Sequence, residues 1–403
     1  MSIVELENSI LNGDISIPPS KSAAHRALIC SFLSGGGNVE GIIDSADMKA
    51  TTGALDALHN GNEVIDCIES GSTLRFLIPV AAALGKSVTF VGSGRLPERP
   101  IGEYITLLEA HGVKCESDGF LPLKISGKLR GGRFELRGDI SSQYVTGLLL
   151  ALPLLKENSE IVLTSPLQSK PYVDMTIKVL KDYGVEVEES ENGYLIKGNQ
   201  KYKVRDYIVE GDWSQAAFFL AAGAIGGDIT VLRLDINSTQ GDKEIVSILK
   251  RFGADVEVNN NSVSARKSEL HAAEIDAKDI PDMVPALSVV AANASGKTVI
   301  KNIQRLRLKE SDRVQSIVSN LKRAGVKAQA TENEIIIEGS KIKGAELCGF
   351  NDHRIVMAMS ILALFAQGKT TITDAQSINK SYPGFFEDYN LLGGRANVID
   401  NRK

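Results

Sequence analysis

Polar and apolar positions along the chain fall into two alternating phrases. The first is a helical stripe that ends in glycine and leads into an alternating strand. It reads LLEAHGVKCES, VLKDYGVEVEE, ILKRFGADVEV and NLKRAGVKAQA. Its glycines, Gly112, Gly184, Gly253 and Gly325, are 72, 69 and 72 residues apart. Glycine there suits a helix C-cap, where the backbone turns left-handed. Weaker relatives end at Gly61 and Gly393. The second phrase has a polar start, about three turns of strongly apolar helix, a Gly or Asn, and then a strand. Copies begin at Ser20, Ser70, Ser141, Asp212, Pro281 and Asn351. Helices this apolar are expected to be buried on nearly every side, and the alternating strands to be half-exposed. The pattern predicts a unit of roughly 70 residues, helix–strand–helix–strands, repeated six times. The fold class is α/β, with two similar domains of three units each. Repeats this long and mixed are not those of a solenoid. No linker-like tract marks a boundary, so the division must follow the phase of the repeat.

Composition narrows the class. At about 150 residues per domain, 403 residues suggest two or three domains. A formal net charge of −5 and 5% aromatic residues argue against a dedicated nucleic-acid binder. The longest apolar runs, at 145–155, 216–226 and 355–366, fall short of the roughly 18 residues a membrane span needs. The start, MSIVELENSI, is acidic and has no secretory pattern. Cys30, Cys67, Cys115 and Cys348 are far apart with no CxxC, which fits a reducing cytoplasm and gives no zinc signature.

Candidate chemistry collects where the six apolar helices begin. These starts read Ser20-Lys21-Ser22 with Arg26, Gly71-Ser72-Thr73 with Arg75, Ser141-Ser142-Gln143, Asp212-Trp213-Ser214, Asp282 after Pro281, and Asp352-His353-Arg354. N-capping accounts for the serines and aspartates. It does not account for Lys21, Arg26, Arg75 and Arg354, whose charge opposes the helix dipole and calls for an anionic partner. More cations lie in GSGRLPERPIG (Arg95, Arg99), in Ser169-Lys170-Pro171-Tyr172, in the run from Arg305 through Lys309-Glu310 to Arg313, and at Lys380. Taken alone, an Arg/Lys/Glu run reads first as a solvated face. No P-loop, GxGxxG, HExxH or GxSxG is present. Of the histidines, His353 is singled out by its neighbours Asp352 and Arg354. The other four read as structural or exposed.

In this order, PPSKSAAHRAL, ESGSTLRF, GRLPERPIG, SSQYVTGLLLALPL, SKPYVDMT, EGDWSQAAFFLAAGAI, IPDMVPAL, RLRLKESDRV, NDHRIVMA and NKSYPGFF resemble the 5-enolpyruvylshikimate-3-phosphate synthases of the enolpyruvyl transferase family. These phrases span residues 18–386. The resemblance implies an inside-out α/β barrel in each domain, built of βαβαββ-type units. One domain would comprise 1–18 and 212–403 and the other 19–211, with the active site in the cleft between them. It implies transfer of the carboxyvinyl group of phosphoenolpyruvate to the 5-hydroxyl of shikimate 3-phosphate, in the shikimate pathway. It also implies no metal or organic cofactor, a monomer, and neither nucleic acid nor membrane as partner. Carried over by position, Lys21, Ser22, Arg26, Ser141, Ser142, Gln143, Ser169, Tyr172, Asp282 and Lys309 would bind shikimate 3-phosphate. Lys21, Gly71, Arg99, Gln143, Arg313, Arg354 and Lys380 would bind phosphoenolpyruvate. Asp282, Glu310, Lys21, Lys309 and His353 would act in catalysis. Glu69, Phe76 and Arg305 depart from the usual family pattern and bear on inhibitor binding, glyphosate in particular, rather than on the reaction. The alternative is the sister transferase acting on UDP-N-acetylglucosamine. It typically has Lys-Asn in place of Lys21-Ser22 and a cysteine in the loop that here reads GSGRLPERP. A non-catalytic binding protein on the same fold would not need Lys21, Asp282, Glu310, Arg313 and His353 together.

Overall fold

The computed structural model describes residues 2–400. The chain divides into two compact units, one running up to Ser20 and resuming at Glu210, the other spanning Lys21–Val209. The Lys21–Val209 unit contains helices α1 (Lys21–Ser34), α2 (Ala46–Asn60), α3 (Gly71–Ala83), α4 (Gly102–Ala110), α5 (Ser142–Ala151) and α6 (Lys170–Asp182). The other unit contains α7 (Trp213–Gly226), α8 (Ile245–Arg251), α9 (Val284–Asn293), α10 (Arg313–Arg323), α11 (His353–Ala363) and α12 (Phe385–Leu391).

The odd-numbered helices are the six apolar phrases, and they are sunk in the two cores. Every residue of α11 is buried, and so is every residue of α7 from Trp213 to Ala224. The even-numbered helices bury one face only. In α10, Val314, Ile317 and Leu321 face inward at helical spacing while Lys322 and Arg323 close the last turn. The glycines that end the first phrase do adopt positive φ, between 72° and 91° at Gly61, Gly112, Gly184, Gly253 and Gly325. At the other end, Ser70, Ser141, Asp212, Asp312 and Asp352 each cap a helix by accepting from a backbone N–H. Asp282 does not cap its helix in this way. Pro281 opens a 3-10 turn, Pro281–Met283, so Asp282 lies on that turn and α9 begins only at Val284.

One sheet pattern recurs. Val64–Asp66 pairs parallel with Val88–Val91, which pairs antiparallel with Leu123–Gly127, which pairs antiparallel with Val113–Glu116. Four further sheets repeat it, each with the strand after the apolar helix inside. In one of them, the central strand Ser2–Leu6 lies between Thr370–Thr373 and Ala396–Asp400, so both ends of the described chain complete a single repeat. In another, Asn12–Ser16 pairs with Asp228–Leu232, and the whole Lys21–Val209 unit is inserted between that first strand and its helix α7. The sixth repeat departs from the expected equality of units. Val39–Glu40 and Tyr207–Ile208 pair parallel, but α2 is followed at once by Gly61 and the next unit's strand at Val64. The chain leaves no residues there for the antiparallel hairpin. Among the described residues no helix is long and apolar enough to cross a membrane.

Two glycines separate the conformational terms. Gly53 is exposed in the interior of α2, with open space where a Cβ would sit. Gly53→Ala is expected to stabilise by about 0.5–1 kcal/mol. Gly325 needs φ +82°, and Gly325→Ala is expected to cost about 1 kcal/mol. Thermal unfolding should move the two midpoints in opposite directions; a common direction would contradict the C-cap assignment.

Candidate functional site

In the Lys21–Val209 unit, the starts of α1, α3, α5 and α6 carry the singled-out side chains. Lys21 opens α1, and its Nζ is 2.6 Å from Asp47 Oδ2 on α2. One turn on, Arg26 is 3% exposed. Its Nε donates to Thr176 Oγ1 (2.8 Å), Nη1 to the Ser22 carbonyl (2.5 Å) and Nη2 to the Tyr172 carbonyl (2.9 Å). The guanidinium also lies 5.0 Å from the centre of the Phe76 ring. Its hydrogen-bond partners are thus hydroxyls and carbonyls, none of them charged. Burial lowers its pKa to about 10, the mark of a cation without a counter-ion. Arg75 on α3 resembles it. Its Nη1 reaches Gln143 Oε1 (3.4 Å) and Nη2 the Pro100 carbonyl (3.3 Å), with the guanidinium 5.6 Å from the Tyr144 ring centre.

Gln143 Nε2 donates to Ser72 Oγ (3.0 Å), which ties the start of α5 to that of α3. Gly71, first in α3, packs beneath two arginines. A methyl group there would collide with the Arg99 guanidinium and lie 2.9 Å from Arg75 Nη1. Ser141 caps α5, Ser142 follows it, and Ser169 takes a left-handed conformation (φ 58°) ahead of α6 without using its hydroxyl as a cap. Beneath these groups runs a buried chain of hydroxyls. His25 Nδ1, Thr51, Thr73 and Ser70 are linked by contacts of 2.7, 2.7 and 2.8 Å. Burial, with the charges of Lys21 and Arg26, keeps the His25 pKa well below its usual value, so the ring is neutral.

The other unit solves its charge problem differently. Arg313, first residue of α10, is 1% exposed. Its Nε donates to Asp352 Oδ2 (2.8 Å), Nη1 to Asp282 Oδ1 (2.8 Å) and Nη2 to Glu310 Oε2 (2.6 Å). Burial works against its charge, but Asp352, Glu310 and Asp282 outweigh burial and hold its pKa above the usual guanidinium value. Asp282 is shared further. Arg354 Nη2 reaches its Oδ2 (3.1 Å) and Lys309 Nζ its Oδ1 (3.2 Å). Burial lowers the Lys309 pKa, with Asp282 opposing and Arg313 adding to the shift. Asp352 caps α11 through the Arg354 N–H and also accepts from Ser311 Oγ (3.0 Å). His353 is 1% exposed, with Nδ1 3.9 Å from Asp352 Oδ1. Lys380, at the end of the 3-10 turn Ala375–Lys380, donates to the Asn351 carbonyl (2.6 Å).

The structure brings Asp282, Lys309, Glu310, Arg313 and Arg354 into one cluster. In the other unit it brings Arg26 beside Tyr172 and joins Gln143 to Arg75. It also revises the argument from the four helix-start cations. Lys21 and Arg354 already have carboxylate partners in the protein, so the demand for an outside anion rests on Arg26 and Arg75. Asp47, the partner of Lys21, was missed because an acid in the first turn of a helix reads as an ordinary response to the dipole. The triple use of Arg313 was missed because Asp352 already had a role as a cap. Only the Asp352 side chain spacing to a second helix could have revealed it, and that spacing is not in the sequence.

The chain matches the family EPSP synthase (3-phosphoshikimate 1-carboxyvinyltransferase) over residues 7–63 and 58–389. It is 43% identical over 432 aligned residues to the 3-phosphoshikimate 1-carboxyvinyltransferase of Clostridium novyi, covering 99% of each chain. It is 44% identical over 418 residues to that of Clostridium kluyveri, covering 98% of each. Among solved structures, the EPSP synthase of Acinetobacter baumannii superposes with a TM-score of 0.83 at 25% identity, over 99% of this chain and 100% of that one.

Removing one partner of a buried ion pair costs about 3–5 kcal/mol, because it strands the other charge. Asp352→Ala should therefore destabilise the fold by about that amount in urea unfolding. A loss under about 1 kcal/mol, typical of an exposed pair, would show that Arg313 does not depend on it.

Proposed function

We propose roles for these side chains from the premise that the chain belongs to the EPSP synthase family and catalyses 3-phosphoshikimate 1-carboxyvinyl transfer. Its substrates are shikimate 3-phosphate and phosphoenolpyruvate, and its place is in the biosynthesis of aromatic amino acids. The reaction forms a bond between the 5-oxygen of shikimate 3-phosphate and C2 of phosphoenolpyruvate. C3 gains a proton and the hydroxyl loses one, giving a tetrahedral adduct. The C2–O bond to phosphate then breaks, C3 returns a proton, and inorganic phosphate leaves.

Two phosphates and two carboxylates must be held near one another, so cations have to outnumber carboxylates at the reacting atoms. In the Lys21–Val209 unit, Lys21, Ser22 and Arg26 grip shikimate 3-phosphate. Ser141, Ser142 and Ser169 take its phosphate, with Gln143 and Tyr172 against the ring. Arg26 supports this assignment, because a buried guanidinium with only neutral partners is poised for an anion. Arg99, with Gly71 beneath it, is assigned to the anionic end of phosphoenolpyruvate, as are Arg313, Arg354 and Lys380. Paired N–H groups match carboxylate and phosphate oxygens. Gln143 and Lys21 serve both substrates.

Asp282 orients the ring hydroxyls and accepts the proton of the 5-hydroxyl, with Lys309 beside it. Glu310 moves the proton at C3. The observation that carries this is the 2.6 Å bond from Arg313 to Glu310. It fixes the carboxylate next to the guanidinium that would hold the reacting enol. His353 assists as a hydrogen-bonding group. The two residue sets serve one reaction, in a monomer located in the cytoplasm.

Purified protein given both substrates and EDTA should release phosphate, and should stop when either substrate is withheld. Absence of release would overturn the role assignment as a whole. Glu310→Gln should lower kcat by at least about 100-fold while both KM values stay within about threefold. A parallel rise in KM would instead make Glu310 a binding group.

A further inference from the structure

The Lys21–Val209 unit holds a cavity that the roles above do not use, and it arises where one repeat departs from its siblings. Val113–Glu116, Asp255–Asn259 and Lys327–Ala330 each begin one or two residues after the glycine that ends the preceding helix, and α4, α8 and α10 pack on them. The corresponding strand after α6, Glu188–Ser190, begins only four residues after Gly184, and α6 has no comparable contact with it. Its hairpin pairing with Gly193–Ile196 runs as far as Glu188 opposite Leu195. Nearer Gly184 a side chain takes the place of the ladder. The Glu186 N–H donates to Gln200 Oε1 (2.8 Å), and Gln200 Nε2 donates to the Glu186 carbonyl (2.9 Å). The hairpin is thus splayed at its base. A cavity of about 820 Å³ lies there, bounded by Ile177 and Lys181 of α6 and by Leu195, Ile196 and Lys197 of the hairpin side. That volume is within the range of small-molecule sites, about 300–1,000 Å³.

Three features of the lining say what would fit. Ile177, Val185, Val187, Leu195 and Ile196 make it apolar, and Leu195 is left 40% exposed. Lys181, Lys197 and Lys203 reach it from three separate segments, and among the described residues none of the three has an ion pair or side-chain hydrogen bond. The Lys203 stem is held across Gly184, its Cε 2.9 Å from where a Cβ would sit there. Glu186 and Glu188 also line the cavity, so the lining keeps a positive excess. Deeper in, Ser159 is 6% exposed and its hydroxyl meets no hydrogen-bond partner. A buried hydroxyl left unpaired is costly and calls for an explanation. We propose that this cavity binds a small organic monoanion: an apolar ring body with a carboxylate at one end and a polar atom at the other. The ring covers Leu195 and Ile177 and removes apolar surface from water. The carboxylate meets the lysines at the solvent side. The polar atom gives the Ser159 hydroxyl its missing partner.

The test follows the fluorescence of 6-hydroxy-2-naphthoate as the full chain is added, with saturating shikimate 3-phosphate present to occupy its own groups. Saturable binding with Kd below about 1 mM is expected. The analogue 2-naphthol keeps the ring and hydroxyl but has no carboxylate, and should bind at least about tenfold more weakly. Leu195→Glu, and Lys181→Glu combined with Lys203→Glu, alter exposed side chains and leave the core untouched. Each should weaken the probe at least about tenfold. Ser159→Ala should weaken it about threefold. Absence of saturation, equal binding of 2-naphthol, or native affinity in these variants overturns the proposal. Self-association in sedimentation that Leu195→Glu abolishes would also overturn it, by giving this face to a second copy of the chain.

Discussion

A guanidinium sealed from water is the constraint around which the Glu210-side unit is arranged. Arg313 is 1% exposed, so it must find its counter-charges inside the protein. It finds three: one from its own approach loop (Glu310), one from the turn before α9 (Asp282), and one from the cap of α11 (Asp352). Consecutive repeats are thereby held in register at the polar ends of their buried helices. Stability alone does not explain such an arrangement, because well-packed apolar residues often replace a buried ion pair at no loss. What the cluster provides is three carboxylates and three cations joined by hydrogen bonds. The proposed proton transfer between anionic reactants would draw on that set of groups.

The two units handle positive charge in opposite ways, and the difference has chemical meaning. Arg26 and Arg75 are solvated by hydroxyls, carbonyls and aromatic faces, and so keep their charge for an outside anion. Arg313 and Arg354 are paired with the protein's own carboxylates, with which a substrate bound as proposed would have to compete. A formal net charge of −5 averages these local imbalances away.

Much of this was legible in the amino-acid order because it follows from burial. A helix as apolar as α7 or α11 can lie only inside a core, so its polar first residues had to sit at the end of that core. The glycines after the even-numbered helices declared the repeat through the one conformation they alone adopt easily. The family phrases drew attention to Glu310 and Arg313. What stayed hidden depended on spacing between distant segments. The Lys21–Asp47 and Arg313–Asp352 pairs join residues 26 and 39 positions apart. Pro281 moved Asp282 off its helix onto a turn, a one-turn shift below the grain of periodicity. The shortened repeat at Val39–Glu40 was masked because its apolar helix is complete and only its hairpin is missing.

The central claim is that Glu310, held by Arg313, carries the proton at C3 of phosphoenolpyruvate. The most direct measurement is proton NMR of the reaction in D2O with both substrates present, following deuterium at the methylene carbon of product and of recovered phosphoenolpyruvate. The account expects deuterium at that carbon with the native protein and almost none with Glu310→Gln over the same time. Incorporation by Glu310→Gln at the native rate would contradict it and move the proton transfer to another group in the cluster.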